Sequence, residues 1–200
     1  MDRDIVAEDR EASAEEVASV ARMRRGDIGG LEFLVRRFQV EATRASYLIV
    51  HDRQLAEDIV AGAFLRAFER IDQFDARRAF RPWFLRSVVN DSLKAAERGT
   101  RTVSLSGGSD RAASAAHLEE ATEASPEVHA ERSDLRRVVV AALEALSPKQ
   151  RTAVVLHYYL GLSGREIADR TSSPEGTIKR RLHDARVRLR TLLTGAGLDR

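Results

Sequence analysis

The chain has 200 residues, 43% hydrophobic and 32% charged, with no cysteine; that suffices for one domain or two small ones and excludes disulfides and thiolate metal sites. No apolar run reaches the roughly 20 residues of a membrane span, and residues 1–20 are too polar and acidic for a signal peptide, so a cytoplasmic protein without membrane insertion is expected. The formal net charge of +2 conceals segregation: residues 1–20 and 102–134 each hold seven acidic and two basic residues, whereas 174–190 hold six basic and two acidic, a pattern that points to an anionic partner for the C-terminal end.

Met1 to Ala21 reads as an acidic, solvated lead, disordered or a loose helix around Val17 and Val20. Gly26 to Gly30 is a break. A helix starts near Leu31, with Leu31, Leu34, Val35 and Phe38 on one face, and continues through Ala42, Ala45 and Leu48. After a second break at His51–Arg53, a helix from about Gln54 to Ile71 is expected to bury Leu55, Ile59, Ala63, Phe64, Ala67, Phe68 and Ile71. Its other side shows Glu57, Asp58, Arg66, Glu69 and Arg70. The loop Asp72 to Arg81 is rich in charge and aromatics. Pro82 then opens a helix with Phe84, Leu85, Val88, Val89 and Leu93 on its apolar face and Arg86, Asn90, Lys94, Arg98 and Arg101 on its polar one. Trp83 stands beside Arg77, Arg78, Arg81 and Arg86. It reads first as a core anchor; the alternative is a stacking platform, because single-stranded nucleic acid needs rings for its bases and guanidinium groups for its backbone.

Thr102 to Ser133 has no period, one proline and Gly107-Gly108, and reads as a flexible acidic linker. Asp134 to Leu146 is an amphipathic helix carrying Leu135, Val138, Val139, Ala142, Leu143 and Leu146. Ser147-Pro148 caps the next helix. Ser163 caps a short helix, Arg165 to Arg170. Thr171 to Ser173 form a turn, with Ser173 the expected cap and Pro174 the first residue of a last helix. That helix repeats Ile178, Leu182, Ala185 and Leu189 at helical spacing. Its remaining surface is cationic, with Lys179, Arg180, Arg181, His183 and Arg186. A short helix, a tight turn and a helix apolar on one side and basic on the other make a helix-turn-helix able to lie in a DNA major groove. The fold expected is all-α: two small helical domains joined by the linker, the C-terminal one a four-helix helix-turn-helix unit. The boundaries expected are an acidic lead at 1–25, domains at 26–101 and 134–194, and the linker at 102–133.

Three stretches together resemble the sigma-70 family of bacterial RNA polymerase sigma factors, in its small extracytoplasmic-function (ECF) group. LAEDIVAGAFLRAFERIDQFD (Leu55 to Asp75) is similar to the family's second-region helix. WFLRSVVNDSLKAAER (Trp83 to Arg98) is similar to its WL-x-x-I-x-x-N helix. ALSPKQRTAVVLHYYLGLSGREIADRTSSPEGTIKRRLHDARVRL (Ala145 to Leu189) is similar to its fourth region. The resemblance implies a factor that binds polymerase core and directs promoter recognition, DNA melting and transcription initiation. Its implied partners are the clamp of the largest polymerase subunit, the flap of the second-largest, promoter DNA and an anti-sigma factor. By the same resemblance, Glu57, Asp58, Phe64 and Arg66 bind core polymerase. Arg77, Arg78, Arg81, Trp83, Arg86, Asn90 and Lys94 open the minus-10 element around a flipped base. Arg165, Thr177, Lys179, Arg180, Arg181, His183 and Arg186, in the helix-turn-helix at 165–186, read the minus-35 element.

The chain departs from the family where Ala61-Gly62 replace Gln and an acidic residue, where Thr171-Ser172-Ser173 replace a Leu-Gly-apolar turn, and where Asp184 replaces a frequent Arg. A free-standing helix-turn-helix regulator binding operator DNA as a dimer is the alternative, but it has no need of the Leu55 to Arg101 block. An enzyme is disfavoured: no catalytic residue, metal-ligand cluster or cofactor motif appears, and His51, His117, His129, His157 and His183 are scattered.

Overall fold

The computed structural model describes residues 14–106 and 126–196, of which 100–106 and 126–134 are described by backbone path alone. The described residues are helical: α1 (Ala14–Arg24), α2 (Leu31–Val50), α3 (Arg53–Glu69), α4 (Phe80–Ser106), α5 (Pro126–Glu144), α6 (Pro148–Val154), α7 (Gly164–Thr171) and α8 (Glu175–Gly195). Short 3-10 turns stand at Ile28–Gly30 and Ile71–Gln73. α6 runs on into a π turn over Val155–Tyr159. Among the described residues, no helix is long and apolar enough to cross a membrane.

His51 ends α2 in the left-handed conformation (φ 57°). Asp52 then restarts the chain, its carboxylate accepting the Leu55 amide at 3.0 Å as the N-cap of α3. α2, α3 and α4 pack on one another around an aromatic spine. Phe64 of α3 stacks on Phe84 of α4 at 4.2 Å between centroids. Phe84 in turn stacks on Phe80 at 5.5 Å, and Phe80 meets Phe38 of α2 at 5.9 Å. Such pairs contribute about 0.5–1.5 kcal/mol each beyond area burial. Further along, Ser46 and Ser92 hydroxyls meet at 2.8 Å in the core. Ser92 Oγ also donates to its own helix at Val88 O, so Ser46 is the donor across the helix pair.

In the C-terminal half the caps expected at Ser147 and Ser163 form in full. Ser147 and Gln150, and Ser163 and Glu166, make reciprocal capping boxes at α6 and α7. The two halves meet at Arg151, which is only 8% exposed. Its guanidinium donates to Leu143 O, Glu144 O and Leu146 O, closing the end of α5, and to Ile49 O of α2 at 2.6 Å. Flanking it are Lys149–Glu97 and His51–Glu144, each at 3.5 Å. One continuous cluster of buried side chains therefore runs through both halves.

Several expectations are corrected. The lead is a helix from Ala14, with Val20 and Met23 buried and Val17 exposed; residues 1–13 lie outside the described residues. The buried face of α3, with Ile71 just after it, holds Ala63, Phe64 and Ala67 as expected but is wider and loses Leu55. Ala56 and Val60 are buried, while Leu55 is 36% exposed, because α3 faces both α2 and α4 and small residues allow the closer approach. In α5 Ala142 and Leu143 are buried as expected, and Val140 joins them, whereas Leu135 and Val139 are exposed. α4 and α5 extend to Ser106 and from Pro126, into the span read as linker; residues 107–125 lie outside the described residues. Ser173 does not cap α8. Its hydroxyl donates to Thr171 O and accepts from Arg181, and Pro174 holds the N-cap position instead.

Candidate nucleic-acid interface

Two surfaces of different shape carry the cations. The first is a groove of about 950 Å³ between α3 and α4. One wall is the α3 stripe Leu55, Asp58, Ile59, Ala63, Arg66 and Arg70; the other is Trp83, Arg86, Ser87, Asn90, Lys94 and Arg98 of α4. Residues three and four apart share a helix face, which is why Trp83, Arg86, Asn90 and Lys94 line up along one wall. Five cations stand against two carboxylates, Asp58 and Asp91, so the groove is net positive. Arg66 crosses it to pair with Asp91. Arg66 passes close to Gly62: a Cβ there would stand 3.1 Å from Nη1, so a side chain at this position would push the guanidinium slightly aside. Trp83 is half-buried, with its ring 5.1 Å from Phe74 and 5.6 Å from Phe80. Core anchor and groove wall are thus two sides of one indole.

In sequence between the groove-lining Gln73 and Trp83, the loop Asp75–Ala79 presents Arg77 and Arg78, with side chains 91% and 82% exposed. Asp75 organises it by accepting from the amide and the Nε of Arg77. The Arg77 hydrogen bonds, with the charges of Arg77 and Arg78, hold the Asp75 carboxyl below the usual carboxylate range. Arg81 is a correction. It is 19% exposed and grips the Glu41 carboxylate of α2 through Nε at 2.9 Å and through Nη2. Its fork serves packing of α4 on α2 rather than the open surface.

The second surface is convex. α7 and α8 are joined through Ser172, held at φ 50°. Ile178, Leu182 and Ala185 bury one side of α8. By helical period Arg180 and His183 stand opposite, with Lys179 and Arg186 on one flank and Arg181 on the other. Lys179 bonds Glu175 at 2.9 Å, and Arg180 stands 3.8 Å from Asp184. Arg181 donates to Ser173 and Arg186 to Leu182 O, each at 3.2 Å. Arg165 of α7 is exposed and Thr177 half-exposed. Lys179 lowers the Glu175 carboxyl by hydrogen bond and charge, with a smaller contribution from Arg165; the last cause puts the two helices' charges in one field. Among the described residues there is no group of three His, Asp or Glu side chains placed to hold a metal.

Comparison with known proteins matches residues 34–102 to the model of Sigma-70 region 2 and residues 136–189 to that of Sigma-70, region 4. The RNA polymerase sigma-H factor of Pseudomonas aeruginosa is 31% identical over 84% of this chain and 88% of its own. The chain belongs to the sigma-70 family, as an ECF sigma factor. The ECF RNA polymerase sigma factor SigW of Bacillus subtilis is 28% identical over 87% of this chain and 94% of its own. In fold, the sigma factor is similar to CnrH in its complex with the cytosolic domain of CnrY, with TM-score 0.62 and 22% identity over 91% of this chain and 99% of that one. It is equally similar to RpoE in complex with the anti-sigma factor NepR from Bartonella quintana, with TM-score 0.62 and 24% identity over 85% and 99%.

Within this sigma factor the four residues expected to bind core polymerase do not form one surface. Phe64 is 5% exposed inside the aromatic spine and offers no face to a partner. Asp58 and Arg66 line the groove. Glu57 pairs with Arg53 at 2.7 Å on the adjoining face of α3. Arg70 and Arg98, outside the expected set of site residues, complete the groove. Their signal was the spacing of four that links Arg66 to Arg70 and Lys94 to Arg98, visible once the two helices are known to face each other.

Proposed function

We propose that this sigma factor divides promoter recognition between the two surfaces. The observation that carries the reading is Trp83, whose indole is braced from behind by Phe74 and Phe80 and lines a cationic groove with Arg86, Asn90 and Lys94. A groove with a ring and guanidinium groups suits a single strand. Stacking contributes about 1–3 kcal/mol per base, enough to offset the few kcal/mol of extruding one base. The minus-10 strand runs along this groove, past Arg77 and Arg78. The rod of α8 suits a duplex: its N-terminal half enters the major groove at the minus-35 element, with Lys179, Arg180 and His183 toward bases and phosphates. Glu57 and Asp58, with neighbouring exposed residues of α3, face the clamp of the polymerase. The C-terminal unit meets the flap. On this reading the sigma factor works in the cytoplasm and has no catalytic role of its own. An anti-sigma factor is its expected inhibitor, by analogy with the complexed relatives.

The test is a pull-down with bacterial RNA polymerase core, followed by run-off transcription from a promoter library. Core binding with promoter-specific transcripts is the expected result and yields the recognised elements directly. Duplex binding without core binding overturns it in favour of a free-standing regulator.

A further inference from the structure

We infer that α1 is a positioning element for promoter opening: Glu16 and Arg24 fix the two ends of the Asp75–Ala79 loop that delivers Arg77 and Arg78 to the groove. The inference rests on the reading of that groove as the minus-10 site. Nothing in the matched family regions, which begin at residue 34, assigns this helix a task.

The geometry is that of a two-point clamp. At the C-terminal end of α1, Arg24 Nη2 donates to Phe74 O at 2.5 Å, just before the loop. Two turns earlier, Glu16 Oε2 accepts the amide of Phe80 at 3.3 Å, just after it. The Glu16 side chain is 7% exposed, and its other oxygen stands 3.5 Å from Arg37 Nε of α2. Phe80 is fully buried and opens α4, where an amide has no partner within its own helix. A buried donor of that kind needs an acceptor. A carboxylate is the favoured one at a helix N-terminus, where the peptide dipoles add to the hydrogen bond. Glu16 thus sets where α4 begins, three residues before Trp83.

The docking of α1 is specified from its other side as well. Val20 and Met23 are buried against the same core. A Cβ at Gly30 would stand 2.6 Å from Ser19 O, so only glycine lets the chain pass this close to the helix backbone. Between its clamped ends the loop makes its own Asp75–Arg77 contacts and leaves both arginines in solvent. Ordering the loop before DNA arrives removes part of the entropic cost of binding.

The experiment uses holoenzyme reconstituted from core polymerase and full-length variants. Its probe is a promoter recovered from the library, with 2-aminopurine in the minus-10 element to report base unstacking. Glu16→Ala is expected to slow opening of the duplex promoter by about tenfold, the loss of one charge-assisted hydrogen bond to a buried donor. Core affinity stays unchanged, and activity returns on a template already melted across the minus-10 element. Glu16→Gln, whose amide oxygen still accepts from Phe80, restores most of the opening rate. Opening at the wild-type rate in Glu16→Ala overturns the inference, and so does an equal loss on duplex and premelted templates or a matching loss of core affinity, either of which marks a merely structural role. A control separates the two levels: if Arg77→Ala with Arg78→Ala opens the promoter normally, the minus-10 reading falls and takes this inference with it, whereas failure of that control beside normal Glu16→Ala overturns the inference alone.

Discussion

The groove of the N-terminal unit and the helix-turn-helix of the C-terminal unit both gather arginine and lysine, yet they are built on opposite plans. The groove is concave, assembled from α3, α4 and the loop between them, and its cations are partly balanced by Asp58 and Asp91. The helix-turn-helix is convex and local, with Lys179, Arg180 and His183 exposed along one helix. A single strand must be held from two sides with its bases on a ring, so the site needs walls. A duplex is held by a rod placed in its groove, so the site needs only one helix and something rigid behind it.

The largest expected effect falls on the residue that serves both units. Replacing Arg151 by Met strands the carbonyls of Leu143, Glu144, Leu146 and Ile49. It should destabilise the chain by about 3 kcal/mol, read by urea unfolding. If one half alone is affected, Arg151 acts only as the end-cap of α5 and not as a tie between the units.

Next comes the duplex surface. Lys179→Ala with Arg180→Ala should weaken duplex binding by about tenfold or more and reduce the slope of affinity against salt by about two, in fluorescence anisotropy at several salt concentrations. Core binding should survive; its loss would break the division of labour. The complementary change is Trp83→Ala, which should cost opening about 1–3 kcal/mol of stacking while leaving minus-35 duplex binding intact. Trp83→Phe should recover part of it. A Trp83→Ala variant that loses both activities equally would show the ring to be only a core anchor.

Smaller effects sharpen the picture of the turn. Ser172 is a non-glycine residue at φ 50°, a strained position for an L side chain. Ser172→Gly should therefore stabilise the C-terminal unit by about 0.5 kcal/mol, seen as a higher denaturation midpoint; a lower midpoint would mean that Ser172 makes a compensating contact. The smallest effect concerns acid. The Glu175 carboxyl sits below its usual value because Lys179 bonds it. A depressed carboxylate stabilises the fold above its unfolded value and loses that contribution as pH falls through the folded one. Carboxyl-detected NMR should show Glu175 titrating below the ordinary glutamate value, so that the Lys179 pair is unchanged across neutral pH. A titration at or above the ordinary value would contradict the pairing.

Much of this was legible in one dimension. The caps at Ser147 and Ser163, the break at His51–Arg53 and the Ile178–Leu182–Ala185 stripe depend on residues within a turn or two of each other, so spacing alone exposes them. The cations of α8 were legible for the same reason, because a single helix carries them all. Spacing does not decide the role of Ser173, since a hydroxyl before a helix has several partners within reach, and here Thr171 O and Arg181 win.

What only the tertiary structure decided are the contacts between residues distant in sequence. Arg81 looked like part of a DNA-facing cluster until Glu41, forty residues earlier, took its guanidinium. Spacing put Phe64 on the buried side of its helix and the family resemblance put it against the polymerase; the stacking of Phe84 onto it decides for the core. The N-terminal lead looked like a solvated tail, yet Glu16 closes on an amide sixty-four residues away. Composition, period and caps report the local energetics of the chain and settled its helices and its basic rod. The groove, the ties across the two halves and the task of α1 are set by which helices face each other, and that depends on the sum of buried surface rather than on any residue's neighbours in sequence.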